Sequence, residues 1–117
     1  MKRVYFLLVF LMASGSIFSQ LLTENFEYTA GQALTANTWT AHSGAGTNAI
    51  SVVSPGLTYS GHPGSGVGNA ASMINTGEDV NKTFSGPVTS GSVYASFLVN
   101  FSAIQTGDYF TGFLQTT

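Results

Sequence analysis

Val93, Ala95, Phe97, Val99 and Phe101 fall on every second residue of an eleven-residue run, Ser92 to Ser102. Tyr94, Ser96, Leu98, Asn100 and Ser102 fill the alternate positions. A period of two places the first set on one face of an extended chain, whereas a helix would scatter it around its axis. The run therefore predicts a long β-strand packed on a core. Tyr109 to Gln115 repeats the pattern, with Phe110 and Leu114 on one side and Tyr109 and Phe113 on the other.

Shorter strands are expected upstream. Thr23 to Tyr28 puts Leu22, Phe26 and Tyr28 on one face, with Glu24 as the misfit. Ala49 to Ser54, Leu57 to Ser60, Ala70 to Asn75 and Asp79 to Ser85 follow, separated by Gly, Pro and Asn turns. The stretch Leu34 to Thr40 is less regular and carries Trp39, the sole tryptophan and an expected core anchor. His42 to Asn48 and Gly61 to Asn69 read as loops. No helical period of useful length appears. Short strands at close intervals predict an all-β fold, an antiparallel β-sandwich or jelly roll. The chain reaches Thr117 in or just after a strand, so the module is expected to be incomplete, the N-terminal part of a longer protein.

Residues 1–19 read as an address. Lys2 and Arg3 precede an apolar run from Val4 to Met12, and small residues follow from Ala13 to Ser16. This is the signal-peptide pattern, with cleavage expected after Ser19, and it predicts a secreted or cell-surface protein. The apolar run is too short for a membrane span, so no stable membrane insertion is expected after cleavage. The expected module, residues 20–117, contains 98 of the 117 residues, enough for one small domain.

Within that module Lys82 is the only lysine or arginine, against five acids, Glu24, Glu27, Glu78, Asp79 and Asp108. A formal charge of −4 leaves no basic footprint to neutralise phosphates, which disfavours nucleic acid as a partner. The chain has no cysteine, which excludes disulfides, thiolate metal sites and cysteine nucleophiles.

Candidate chemistry is sparse. Gly64-Ser-Gly66-Val-Gly68-Asn69 fails both the dinucleotide fingerprint and the P-loop and reads as a turn. Neighbouring Glu78 and Asp79 would point to opposite faces of a strand and so make a poor acid/base pair. With Asn81 they could offer oxygen ligands to calcium; the plainer reading is solvated loop acids. No other cofactor is indicated. His42 and His62 sit in glycine-rich loops as polar surface or as single bases. Asn81-Lys-Thr83 and Asn100-Phe-Ser102 fit the N-glycosylation pattern, which a bacterial source would make coincidental. Tyr59 and Tyr94 are the candidates for a sugar platform. An aromatic face stacks on the apolar C–H surface of a sugar ring while amides fix its hydroxyls; sheet packing is the alternative for each ring.

The combination Glu24-Asn-Phe-Glu-Tyr28, Gly31, Leu34, Trp39-Thr-Ala-His-Ser43, Ser54-Pro-Gly-Leu-Thr-Tyr59 and Gly64-Ser-Gly-Val-Gly-Asn-Ala-Ala71 forms a recognisable pattern. Glu78-Asp-Val-Asn-Lys-Thr-Phe84 and Gly91-Ser-Val-Tyr-Ala-Ser-Phe97 continue it. Together these resemble the N-terminal regions of secreted multidomain proteins of Bacteroidetes-type bacteria. Those regions are similar to concanavalin A-like lectin/glucanase jelly rolls and often precede a sorting domain for type IX secretion. The resemblance implies a lectin-like scaffold and a glycan partner, with the remainder of its own longer chain as a second partner. The Glu-x-Asp-x-x-Glu signature of jelly-roll glucanases is absent, so the resemblance carries over no catalytic residue. A non-catalytic binding or adhesion module is the leading expectation. The alternatives are part of a glycoside hydrolase or other hydrolase whose catalytic carboxylates lie beyond Thr117, and a structural spacer.

Overall fold

The computed structural model describes residues 20–103 and 109–114. The expected signal peptide, residues 1–19, lies outside the described residues. Among the described residues, regular structure begins with a 3-10 turn, Leu34–Ala36, and continues as four strands: β1 (Thr40–Ser43), β2 (Ser51–Val53), β3 (Ala70–Ser72) and β4 (Asp79–Asn81). The pairing is nested. β1 pairs antiparallel with β4, and β2 pairs antiparallel with β3. Among the described residues the regular architecture is all-β apart from that one turn, built from small antiparallel sheets.

β2 is bonded along both edges. Val52 faces Ala71 on the β3 side. On the other side Gly31 N donates to Val52 O at 2.8 Å, Val52 N to Gln32 O at 2.9 Å, and Leu34 N to Ile50 O at 2.9 Å. The segment 31–34 thus acts as a third, irregular member of this sheet, and Ala33 forms an isolated antiparallel bridge to Ser51. Ile50, Val52 and Leu34 are the buried apolar residues among those described. Phe26, Tyr28, Trp39, Ala71 and Val80 pack around them. Val80 belongs to β4 and Ala71 to β3, so the two ribbons share one core. Burying each of Leu34, Ile50 and Val52 contributes about 1.5–3 kcal/mol.

The misfit Glu24 is the polar hub at the edge of this core. Its Oε1 accepts from Phe26 N at 2.7 Å, across a backbone turn in which Phe26 takes φ +50°. Its Oε2 accepts from the Tyr28 hydroxyl at 2.9 Å, from Trp39 Nε1 at 3.1 Å and from Lys82 Nζ. Tyr28 also shares a 2.7 Å hydrogen bond with Thr38. The positive φ at Phe26 breaks the extended conformation expected for Thr23 to Tyr28, and this segment forms no ladder. It is held instead by Asn69, whose N–H donates to Asn25 O at 2.9 Å and whose side-chain amide donates to Tyr28 O at 3.0 Å. Gly68 must be glycine for this contact. It has φ +66°, and a Cβ there would lie 2.0 Å from Asn25 O.

The strongest strand signal in the sequence has no ladder here. Ser92 to Ser102 has no strand pairing, and neither Leu57 to Ser60 nor the described part of Tyr109 to Gln115 forms a strand. The expected strands at 49–54, 70–75 and 79–85 are each present as a three-residue core. Alternation nevertheless sorts contacts along 92–102. Phe97 and Phe101, from the odd set, meet Phe110 edge-on at centroid distances of 5.8 and 5.4 Å. Ser96, from the even set, meets His62 at 3.0 Å. The period specifies which side chains share a face; a ladder also needs a backbone partner at the right register.

Candidate functional site

Three consecutive residues of the 92–102 run build one wall of a shallow groove of about 520 Å³. Leu98, Val99 and Asn100 form that wall, and Pro55, Leu57 and Tyr59 form the other. Gly56 and Thr58 also line it. The turn opposite is shaped by a cis Ser54–Pro55 peptide and by Gly66 N donating to Leu57 O at 2.9 Å. The Ser65 hydroxyl oxygen accepts from Tyr59 N at 2.8 Å, which fixes the backbone that carries the tyrosine. Nearby, His62 Nε2 and Ser96 Oγ lie 3.0 Å apart and join the loop bearing Tyr59 to the segment bearing Asn100.

Tyr59 is 68% exposed, so its ring is available rather than packed into the core. Tyr94 is 90% exposed but does not line the groove; it lies two residues before Ser96, in the same alternating set. The sequence pointed to both tyrosines. It did not single out Asn100, Leu98 or Thr58 as groove residues, although the even-set pattern already put Asn100 and Leu98 together with Tyr94. Among the described residues no acidic or basic side chain lines the groove. Its chemistry is one aromatic face, aliphatic side chains, a hydroxyl at Thr58 and an amide at Asn100 that both donates and accepts.

The three residues considered for calcium occupy different settings. Glu78 is buried and accepts from Gly46 N at 2.8 Å through Oε2. Asp79 is exposed on β4 and accepts from the Ser43 hydroxyl through Oδ2. Asn81 lies opposite Thr40 in β1. Among the described residues no group of three or more His, Cys, Asp or Glu side chains is placed to hold a metal. His42 is exposed where the β1/β4 register shifts between Ala41 and Ser43.

Electrostatics are concentrated at Glu24 and Lys82. Burial works to raise the Glu24 carboxyl, but hydrogen bonds from Lys82, Phe26 N and Tyr28, with the Lys82 charge, outweigh it and hold the group below its ordinary value. Burial likewise works to lower Lys82, and its bonds to Glu24 and Tyr28 with their charge interactions raise it instead. Lys82 Nζ also stands 5.9 Å from the Tyr28 ring centroid and 5.7 Å from that of Trp39. With Lys82 bonded to both Glu24 and Tyr28 inside one cluster, this ion pair fastens the fold.

Among the described residues no helix is long and apolar enough to cross a membrane. No protein-family model matches the chain, and no curated protein or solved structure matches it.

Proposed function

We propose that this chain is a secreted, non-catalytic binding module that takes a neutral glycan in the Tyr59–Asn100 groove. The observation that carries the reading is the pairing of an exposed tyrosine with an amide across an uncharged groove. A tyrosine face supplies apolar contact to sugar C–H groups, and Asn100 and Thr58 supply directional bonds to hydroxyls. The lack of charge among the described lining residues favours a neutral ligand over a phosphate or an acidic peptide. The lack of a carboxylate there favours binding over glycoside hydrolysis, which needs two facing acids. The lectin-like, concanavalin A-type jelly roll, type IX secretion and cell-surface placement belong to this same proposal and rest on the sequence resemblance.

A structural reading has its own support. Phe97, Val99 and Phe101 are 50%, 47% and 63% exposed, which is unusual for an apolar set of this regularity and suits a face covered by further polypeptide. Glycan-array screening of the chain and of Tyr59→Ala separates the two. Saturable binding to a neutral glycan that Tyr59→Ala removes supports the module. No binding to any glycan leaves the structural role as the better account.

A further inference from the structure

The two walls of the Tyr59–Asn100 groove are held unequally. The wall at 55–59 is tied into the fold by its backbone. Gly56 N donates to Gly68 O at 3.2 Å, and Gly66 N donates to Leu57 O at 2.9 Å. The next residue, Asn69, is bonded in turn to Asn25 and Tyr28 beside the core. The facing wall, 98–100, belongs to a run without a ladder. Phe97 and Phe101 of that run pack on Phe110, later in the chain, and not on the opposing wall. Among the described residues one hydrogen bond joins the 92–102 run to the rest of the chain, and it is the contact between His62 and Ser96.

His62 is built into the turn that carries Tyr59. Its N–H donates to Tyr59 O at 3.2 Å, and its carbonyl accepts from Ser65 N at 3.0 Å. Ser65 Oγ accepts from Tyr59 N, so the imidazole and the tyrosine ride on one braced turn. The ring has two unlike edges. Nδ1 is buried with no hydrogen-bond partner, and Gly64 lies against that edge, where a Cβ would stand 3.8 Å from Nδ1. A buried N–H without an acceptor is a costlier defect than an unused lone pair, so the single N–H of the neutral ring belongs on Nε2. Nε2 then donates to Ser96 Oγ, 3.0 Å away. Ser96 and Asn100 fall in the same alternating set, so fixing the first orients the face that presents the second.

We propose that His62 and Ser96 are positioning residues for the groove. The bond from Nε2–H to Oγ holds the 98–100 wall at a fixed distance from Tyr59, so that Tyr59 and Asn100 reach one sugar together. The inference rests on the glycan reading of the groove for its ligand, but not for the contact itself. Neither His62 nor Ser96 lines the groove, so their effect on affinity passes through the spacing of the walls.

NMR of the full, ligand-free chain tests the contact without any glycan. Imidazole nitrogen–proton correlations assign the His62 tautomer, and NOEs between residues 55–59 and 98–100 report the spacing. The expected result is an N–H on Nε2, with cross-wall NOEs that Ser96→Ala and His62→Ala abolish. Ser96→Thr and His62→Gln keep a hydroxyl and an N–H donor and should retain them. Ser96 is exposed, so Ser96→Ala leaves the core untouched. For a neutral glycan bound by the unaltered chain, Ser96→Ala should weaken affinity by about three- to tenfold and Ser96→Thr by less than about twofold. An N–H on Nδ1 overturns the proposal, as do cross-wall NOEs that survive both alanine variants or a glycan affinity that Ser96→Ala leaves unchanged. A chain that shows the tautomer and the NOE response yet binds no glycan upholds the contact and overturns the glycan reading instead.

Discussion

Lys82 closes on Glu24 across 58 residues of chain, and the carboxylate oxygen it meets is the one that also accepts from the Trp39 indole. The pair joins the segment after β4 to the N-terminal segment, and it does so beside the small core of Leu34, Ile50 and Val52. In a chain without disulfides this contact does part of the work of a cross-link. Glu24→Gln or Lys82→Met should each destabilise the fold by about 1–3 kcal/mol, because either leaves a partly buried partner uncompensated. The double variant should be less destabilised than the sum of the singles. Chemical denaturation of all four chains measures the coupling.

The same pair sets the pH limits. The Glu24 carboxyl is held below its ordinary value, so its contribution is complete above the unfolded-state value near 4.3 and disappears as pH falls through the lower folded value. Lys82 is raised, so its contribution is complete below the unfolded-state value near 10.4 and disappears as pH rises through the higher folded value. Denaturation midpoints followed against pH should show an acid limb that Glu24→Gln flattens and an alkaline limb that Lys82→Met flattens.

Burial, not hydrophobicity, should rank the apolar substitutions. Leu34 is 2% exposed, and Leu34→Ala should cost about 2–4 kcal/mol. Val99 is 47% exposed, and Val99→Thr should change stability by less than about 0.5 kcal/mol in this chain. Unfolding curves of the two variants test this directly. Val99→Thr as costly as Leu34→Ala would mean that the 92–102 run is covered in solution.

Much of the fold was legible where alternation and turn residues agreed. The strand cores at 51–53, 70–72 and 79–81 fall inside runs that Pro55-Gly56, the 61–69 glycines and Gly86-Pro87 delimit. The pairing order was not legible, because β1 meets β4 through Ser43 and Asp79, and no local pattern encodes so distant a register. Glu24 looked like an error in an apolar face. Its role depends on Trp39 and Lys82, which only the folded chain brings near. Of the groove, Tyr59 was readable as a candidate sugar-stacking aromatic within the expected strand Leu57 to Ser60. Its partner Asn100 lay in the even set of a run whose apolar face drew the attention.

Gly68 offers a local check on the way the N-terminal segment is held. Gly68→Ala adds a side chain at φ +66° and against Asn25 O, so it should destabilise by about 2 kcal/mol or more and free the segment 25–28. Faster amide exchange at Asn69, whose N–H bonds Asn25 O, is the expected signature. Unchanged protection there would show that the contact is not needed.

The central functional claim is that Tyr59 and Asn100 together hold a neutral sugar. Calorimetric titration of the chain with a glycan chosen from array screening, compared across Tyr59→Ala, Asn100→Ala and Tyr94→Ala, tests it most directly. Loss of at least about tenfold in affinity for the first two, with Tyr94→Ala within about twofold, is the predicted result. Unchanged affinity in both Tyr59→Ala and Asn100→Ala would contradict it and place the glycan, if any, elsewhere on the chain.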